Sequence, residues 1–365
     1  MNARRSRHAE LLIELVISLV SGIILAVGAQ VLAAAALPGL GRSPLAWVLV
    51  GATPAVALLA FFVARRFYRR PAQAFVMISA YTHTRWLADL LENLARSLDH
   101  QGIDLVVKLP PYDGSARGQL LQLESILRKR RSYAGGFFVV AHPERIRPEL
   151  ADFCASIGLP VVFVDVPPFR ASEEYPERVV FVGCDADEIG ERAARWVAGE
   201  LLDRADGTPV VLAVGGDAQA ARHERFAEVL REKVPSVALE VNPRGQFARD
   251  RARRIVDWYL TDRQRHGDRV DAIFCTNDEM ALGAVDAVQM HTAAGKRHDD
   301  LVIIGVDGIS EAVAAIDAGA TPLRATIVQS PRRIAEEAVD ALLRMRAGER
   351  VATEILVPTT IHPLQ

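Results

Sequence analysis

Cysteine is scarce in this chain: Cys154, Cys184 and Cys275 are the three in 365 residues, far apart, each in or beside an apolar run. An odd, scattered set offers neither a disulfide framework nor metal-ligand spacing, so these side chains read as small buried hydrophobes. The nine histidines are scattered too and form no zinc pattern. A Walker loop, a GxGxxG after the first strand and a Ser-centred nucleophile elbow are all missing, which removes the usual signatures of nucleotide binding and acyl transfer. His223 beside Glu224 reads as an exposed helix pair rather than a catalytic dyad. No catalytic residue, metal or cofactor is therefore expected, and the chain does not read as an enzyme. A surplus of one charge is lacking as well: the formal net charge is -2, and the signs interleave after Arg70. That excludes nucleic-acid binding by a broad basic face.

Charge is absent altogether from Leu15 to Leu37 and from Ser43 to Ala64. At about 1.5 Å of rise per residue, each run is long enough as a helix to span about 30 Å of hydrocarbon. Residues 1–70 are thus expected to form a membrane anchor with two transmembrane helices, about 11–37 and 44–64. Arg4, Arg5 and Arg7 precede the first run and Arg65, Arg66, Arg69 and Arg70 follow the second, whereas the connection carries only Arg42. The positive-inside rule then gives a hairpin in the inner membrane with both ends, and the soluble part, in the cytoplasm. A secretory signal in place of the first span is a competing reading, yet the second span would still run from outside to inside; a periplasmic domain needs one segment not to cross, with Arg65 to Arg70 serving only as snorkelling anchors.

From Ala74 onward, short apolar runs alternate with amphipathic stretches. The runs AFVMIS, DLVVKL, GGFFVV, PVVFVD, VVFVGC, PVVLAV, ALEVN, AIFCT, LVIIGV and ATIV read as strands, and segments such as TRWLADLLENLARSLDHQ as helices. Continuous apolar strands separated by helices imply an α/β fold with parallel sheets covered on both faces. Ten strands are many for one such sheet, so two doubly wound lobes are expected. Ligands of open α/β sheets sit beyond the carboxyl ends of the strands. That rule selects Ser79 to Trp86, Asp165, Cys184 and Asp185, Gly215 to Asp217, Asn277 and Asp278, and Asp307. Singly, Asp185 or Asp217 reads as a helix N-cap.

Three segments, AIFCTNDEMALGAVDAV, LVIIGVDGISEAVAAIDAG and LRATIVQSPRRIAEEAVDALLRMRAGERV, together with AARHERF and PVVFVD, resemble in order and spacing the ribose-type periplasmic sugar-binding proteins. Lac-repressor-type ligand-binding domains share that fold. The resemblance covers about residues 72–360. It implies a type I periplasmic-binding-protein fold, with lobe 1 at about 72–180 and 330–351, lobe 2 at about 181–329 and a C-terminal tail at about 352–365. Crossovers would lie near Val180, Gln329 and Val351. It also implies closure by hinge motion on a small polar ligand, with His83, Arg85, Trp86, Asp165, Arg222, Phe247, Asn277, Asp307 and Gln329 as the ligand-binding positions. Carboxylates accept from hydroxyls, a guanidinium donates in a fork and an amide does both, which suits a polyol. Val166 stands where close sugar binders often have Arg, which puts ribose itself in doubt. Arg85 with Arg222 could favour a sugar phosphate.

These readings converge on a membrane-anchored receptor or sensor for a sugar or sugar phosphate, with a homo-oligomer or a membrane protein as possible partner. No helix-turn-helix, kinase or cyclase module accompanies it. Two alternatives remain open at this point: a membrane effector or scaffold whose hairpins assemble on ligand binding, using small residues such as Gly22 and Gly28, and a tethered substrate-binding component of a sugar transporter.

Overall fold

In the computed structural model the described residues are 72–78, 85–112, 115–140, 143–169, 175–202, 207–217 and 221–363. The segment 1–71, where the two membrane spans are expected, lies outside them, as does His83. Among the described residues no helix is long and apolar enough to cross a membrane.

Residues 72–365 form one unit containing two six-stranded sheets. The first half of the chain supplies β1 (Ala72–Met77), α1 (Arg85–Asp99), β2 (Ile103–Lys108), α2 (Ala116–Arg128), β3 (Tyr133–Phe138), α3 (Pro143–Ile157), β4 (Val161–Val164) and β5 (Val179–Gly183). The second supplies α4 (Ala186–Leu202), β6 (Val210–Val214), α5 (Ala221–Lys233), β7 (Ala238–Asn242), α6 (Arg249–Arg265), β8 (Ala272–Cys275), α7 (Asp278–Ala293), β9 (Val302–Asp307), α8 (Ser310–Ala318) and β10 (Leu323–Val328). Then come α9 (Pro331–Arg346), β11 (Glu354–Leu356) and β12 (Thr360–His362). The sheet orders are β11-β5-β4-β3-β1-β2 and β12-β10-β9-β8-β6-β7. Every pairing is parallel except β10 with β12.

The apolar runs explain this arrangement. Successive side chains of a strand point to opposite faces, so Ala74 and Val76 of β1, with Ile78 just after it, enter one core while Phe75 and Met77 enter another. Leu87, Leu90, Leu94 and Leu98 recur at helical spacing on α1 and cover the first face, beside Ile334, Ala338 and Leu342 of α9. The other face takes Leu123 and Ile126 of α2 and Leu150 and Phe153 of α3. There an aromatic ladder runs from Phe138 to Phe163 (5.2 Å between centroids), Phe169 (6.1 Å) and Tyr175 (5.1 Å). Gly136 admits the Phe75 ring: a Cβ on it would come within 2.2 Å of that ring. In the second sheet Phe226 of α5 stacks on Phe274 of β8 at 4.3 Å.

The chain passes between the sheets three times. Val180 pairs with Val162 within the first sheet, and the first passage, expected near Val180, follows Gly183. The second is at Gln329, between β10 and α9. The third lies between Leu356 and Thr360 rather than near Val351, because Glu354–Leu356 pairs with β5 and Thr360–His362 with β10. The segment 352–365 is thus no simple tail. Its strands have three residues each and are only partly buried, so they leave no apolar run in the sequence.

Candidate functional site

Four of the parallel strands deliver a polar residue at their carboxyl ends. Asp165 follows β4, Thr276 and Asn277 follow β8, Asp307 ends β9 and Gln329 follows β10. Trp86 and Arg222 lie in the first turns of α1 and α5. A helix entering directly after a buried strand turns its first residues toward the same edge of the sheet, where ligands of such folds collect.

Gln329 is the hub. Its backbone carbonyl accepts the indole N–H of Trp86 at 3.0 Å. Its side-chain Nε2 donates to Asp307 Oδ1 at 2.8 Å, and its Oε1 accepts from Arg222 Nη2 at 3.2 Å. Arg222 Nη1 donates to the Thr276 carbonyl at 3.1 Å, and Nη2 stands 3.6 Å from Asp165 Oδ1. Residues following strands of both sheets, Asp165 from the first and Asp307 and Arg222 from the second, thereby enter one polar group. Asn277 faces two ways: its Oδ1 caps α7 by accepting from Met280 N (3.0 Å), while its Nδ2 donates to the Phe247 carbonyl (3.3 Å). The Phe247 ring lies over Gly216, where a Cβ would meet it at 2.2 Å.

Backbone strain concentrates here. Asp165 has φ 74°, Phe247 φ 54° and Asp307 φ 115°, conformations that cost a residue with a side chain about 1–3 kcal/mol and persist where the surroundings impose them. Burial raises the pKa of Asp165, opposed by Arg222. Burial also raises Asp307 well above the ordinary carboxylate range; Arg222 opposes this, while Asp278 and Asp165 reinforce it. Asp278 lies fully buried below them, accepting from Ile309 N at 2.9 Å and from the Thr326 hydroxyl at 2.7 Å. It fixes the turn after Asp307, and desolvation lifts its pKa to about 7. Gly305 makes room for it, since a Cβ there would come within 2.1 Å of Asp278 Oδ1.

Seven of the nine residues singled out in the sequence, Trp86, Asp165, Arg222, Phe247, Asn277, Asp307 and Gln329, thus lie at the strand ends. Arg85 does not join the polar group: it opens α1 with its side chain exposed. His223 is buried rather than exposed, with Nδ1 unpartnered among the described residues and packed against Gly215. Its burial lowers its pKa, and Glu224 points to solvent, so the two form no dyad. Asp185 caps α4, accepting from the backbone N–H of Asp187 at 2.9 Å. Sequence reasoning missed the supporting roles of Thr276, Thr326 and Asp278; only the position of Asp278 at a strand end signalled it. The three cysteines are free and buried, and among the described residues no cluster of His, Cys, Asp or Glu is arranged to hold a metal ion.

Comparison with known proteins places the fold. The ribose import binding protein of Bacillus subtilis is 30% identical over 207 residues, which is 57% of this chain and 61% of that protein. The D-allose-binding periplasmic protein of Escherichia coli is 21% identical over 264 residues, 72% of this chain and 81% of that one. Among solved structures, a periplasmic solute-binding protein of Actinobacillus succinogenes with bound D-allose superposes with a TM-score of 0.68 at 19% identity, covering 80% of this chain and 97% of the other. The Caulobacter myo-inositol binding protein gives 0.66 at 21%, with 80% and 93% covered. At these identities the structural likeness is one of fold. The relatives are named for what they bind, not for a reaction. Residues 74–350 match the model of the periplasmic binding protein domain, and the chain belongs to that family.

Proposed function

We propose that this protein is a membrane-anchored receptor for a small polyhydroxylated molecule, a sugar or sugar derivative, which closes the two sheet domains by a hinge motion. The observation that carries the reading is the polar group around Gln329. It takes Asp165 from one sheet and Asp307 and Arg222 from the other, and it offers acceptors and donors together. A polyol needs both. Trp86 at the same edge supplies an apolar ring beside the group. The family relatives, named for ribose and D-allose, support the ligand class. The test is thermal: a panel of sugars and cyclitols is screened against the purified full chain. A binder raises the melting temperature by mass action, and a panel with no shift would count against the reading.

The membrane part of the proposal rests on the two uncharged runs before β1, and the arginines flanking them favour a cytoplasmic binding domain. A second reading, the tethered binding component of a sugar importer with a periplasmic domain, is favoured by relatives whose names specify import and the periplasm. Single-cysteine labelling separates the two. The three native cysteines are replaced and Glu124→Cys, an exposed position on α2, is introduced. Labelling only in permeabilised cells places the domain inside. Labelling by an impermeant reagent in intact cells or spheroplasts places it outside.

A further inference from the structure

The helix α6 is rich in arginine, and two of its guanidiniums have carboxylate partners on other elements. Arg249 bonds Asp286 and Glu311, each at 2.7 Å, and Arg263 reaches Glu240 at 3.3 Å and Asp268 at 3.4 Å. Arg251 differs. Among the described residues, neither it nor Arg244, just after β7, has a carboxylate within ion-pair distance, and both are exposed. Arg254 pairs only with Asp250, at 2.9 Å, through side chains that are both more than half exposed. Arg251, Arg254, Ile255 and Trp258 recur at helical spacing and so share one face of α6. That face meets the end of β7, the outermost strand of its sheet. With Asn242 and Arg244 it lines an open groove of about 310 Å³ that holds three guanidiniums and no carboxylate. Asn242 Oδ1 accepts from the backbone N–H of Arg244 at 3.1 Å, which leaves its Nδ2 as a further donor. Trp258 is 62% exposed, a large apolar ring left in water beside the charges.

We propose that this groove is a second binding site, for a ligand that joins a phosphate group to a planar or apolar body: a soluble phosphate ester such as a nucleotide, or the headgroup of an anionic phospholipid. Guanidiniums donate in forked pairs to phosphate oxygens. They do so without a glycine-rich loop, so the missing Walker sequence does not weigh against the site. Trp258 and Ile255 give the rest of the ligand an apolar surface, and a planar ring stacks on tryptophan whatever its identity. None of the six lining residues belongs to the group around Gln329, so the site is independent of the polyol reading.

The test uses the full chain in a non-ionic detergent at low salt. Pyrophosphate, AMP, ATP and water-soluble dihexanoyl phosphatidylglycerol are the probes, with adenosine and dihexanoyl phosphatidylcholine as controls, followed by calorimetry and by tryptophan emission. A phosphate ester is expected to bind and to change the emission, and Trp258→Phe to abolish that change. Arg244→Ala and Arg251→Ala, both at exposed positions, are together expected to weaken binding at least about tenfold, since each removes charge-assisted donors. Binding of AMP or ATP supports the site with a soluble ester as its ligand. Binding of phosphatidylglycerol in preference to phosphatidylcholine supports it with a lipid headgroup. Failure of every probe, equal binding of the controls, or an affinity unchanged in the double arginine variant overturns the site. Pyrophosphate binding as tightly as every ester removes Trp258 from it and overturns the proposal as stated.

Discussion

The guanidinium of Arg222 stands 3.6 Å from the carboxylate of Asp165, and the two residues come from opposite sheets: Asp165 follows β4, while Arg222 opens α5 of the second. The pair is a direct charge contact between the halves. Both side chains are mostly buried, with 15% and 24% exposed, so truncating one partner leaves the other desolvated and unpaired. The pair also serves binding. Arg222→Ala is expected to weaken ligand affinity by about 100-fold, since it removes charge-assisted donors, and to lower the unfolding midpoint of the unliganded protein as well. Isothermal titration beside thermal melting checks both halves of that statement. A large loss of stability with unchanged affinity would contradict it.

Trp86 offers a milder probe. Trp86→Phe keeps a ring in the buried position but deletes the 3.0 Å bond to the Gln329 carbonyl. A cost of about 1 kcal/mol in denaturant unfolding is expected for one such bond. The substitution also removes a reporter at the crossing point. A ligand-dependent change in tryptophan emission should shrink in the variant, leaving the contributions of Trp47, Trp196 and Trp258, the last of which is 62% exposed on α6.

The buried carboxylates give the protein a characteristic pH dependence. Asp278 rises from 3.8 to about 7 on folding. As pH climbs through that window, the unfolded chain ionises before the folded one, so stability falls, by up to about 1.4 kcal/mol per pH unit for one such group. Asp307 and Asp165 shift in the same direction. The protein is therefore expected to be more stable near pH 5 than near pH 8, and Asp278→Asn should flatten the slope. Urea titrations at several pH values measure it. Ligand donors that favour ionised Asp307 should also release protons on binding, which calorimetry in two buffers of different ionisation enthalpy detects.

Gly305 is tested by addition rather than deletion. A methyl at Gly305 would come within 2.1 Å of Asp278 Oδ1, and overpacking of this kind costs about 1–3 kcal/mol. If that contact is the cause, Gly305→Ala combined with Asp278→Ala should lose less stability than the sum of the two single changes. A double-mutant cycle reads the coupling.

Most of the first ten strands were legible because they are continuous β-branched or aromatic runs buried on both faces; β2 and β7, at the sheet edges, are only partly buried. The candidate site was legible for the same reason: a polar residue directly after such a run has few other uses. Strands β11 and β12 were not, since three-residue edge strands with exposed positions produce no such run. Arg85 stands exposed at the start of α1 while Trp86 and Leu87 beside it are buried, a difference that residue type alone does not show in the sequence. His223 shows the same limit in reverse, since polarity alone concealed that it lies on the buried side of α5, one turn before Phe226.

The threefold crossing between the sheets also sets an order of assembly on the ribosome. Strands β1 to β5 emerge first, yet the helix α9 that covers them and the strand β11 that borders β5 come from residues beyond 330, after the whole second sheet except β12 has been made. The half of the molecule that is synthesised first is therefore completed late. Until α9 and β11 arrive, the edge of β5 and the face beneath Leu342 stand open, and a nascent chain stalled before residue 331 would hold an unfinished first half beside a nearly complete second one.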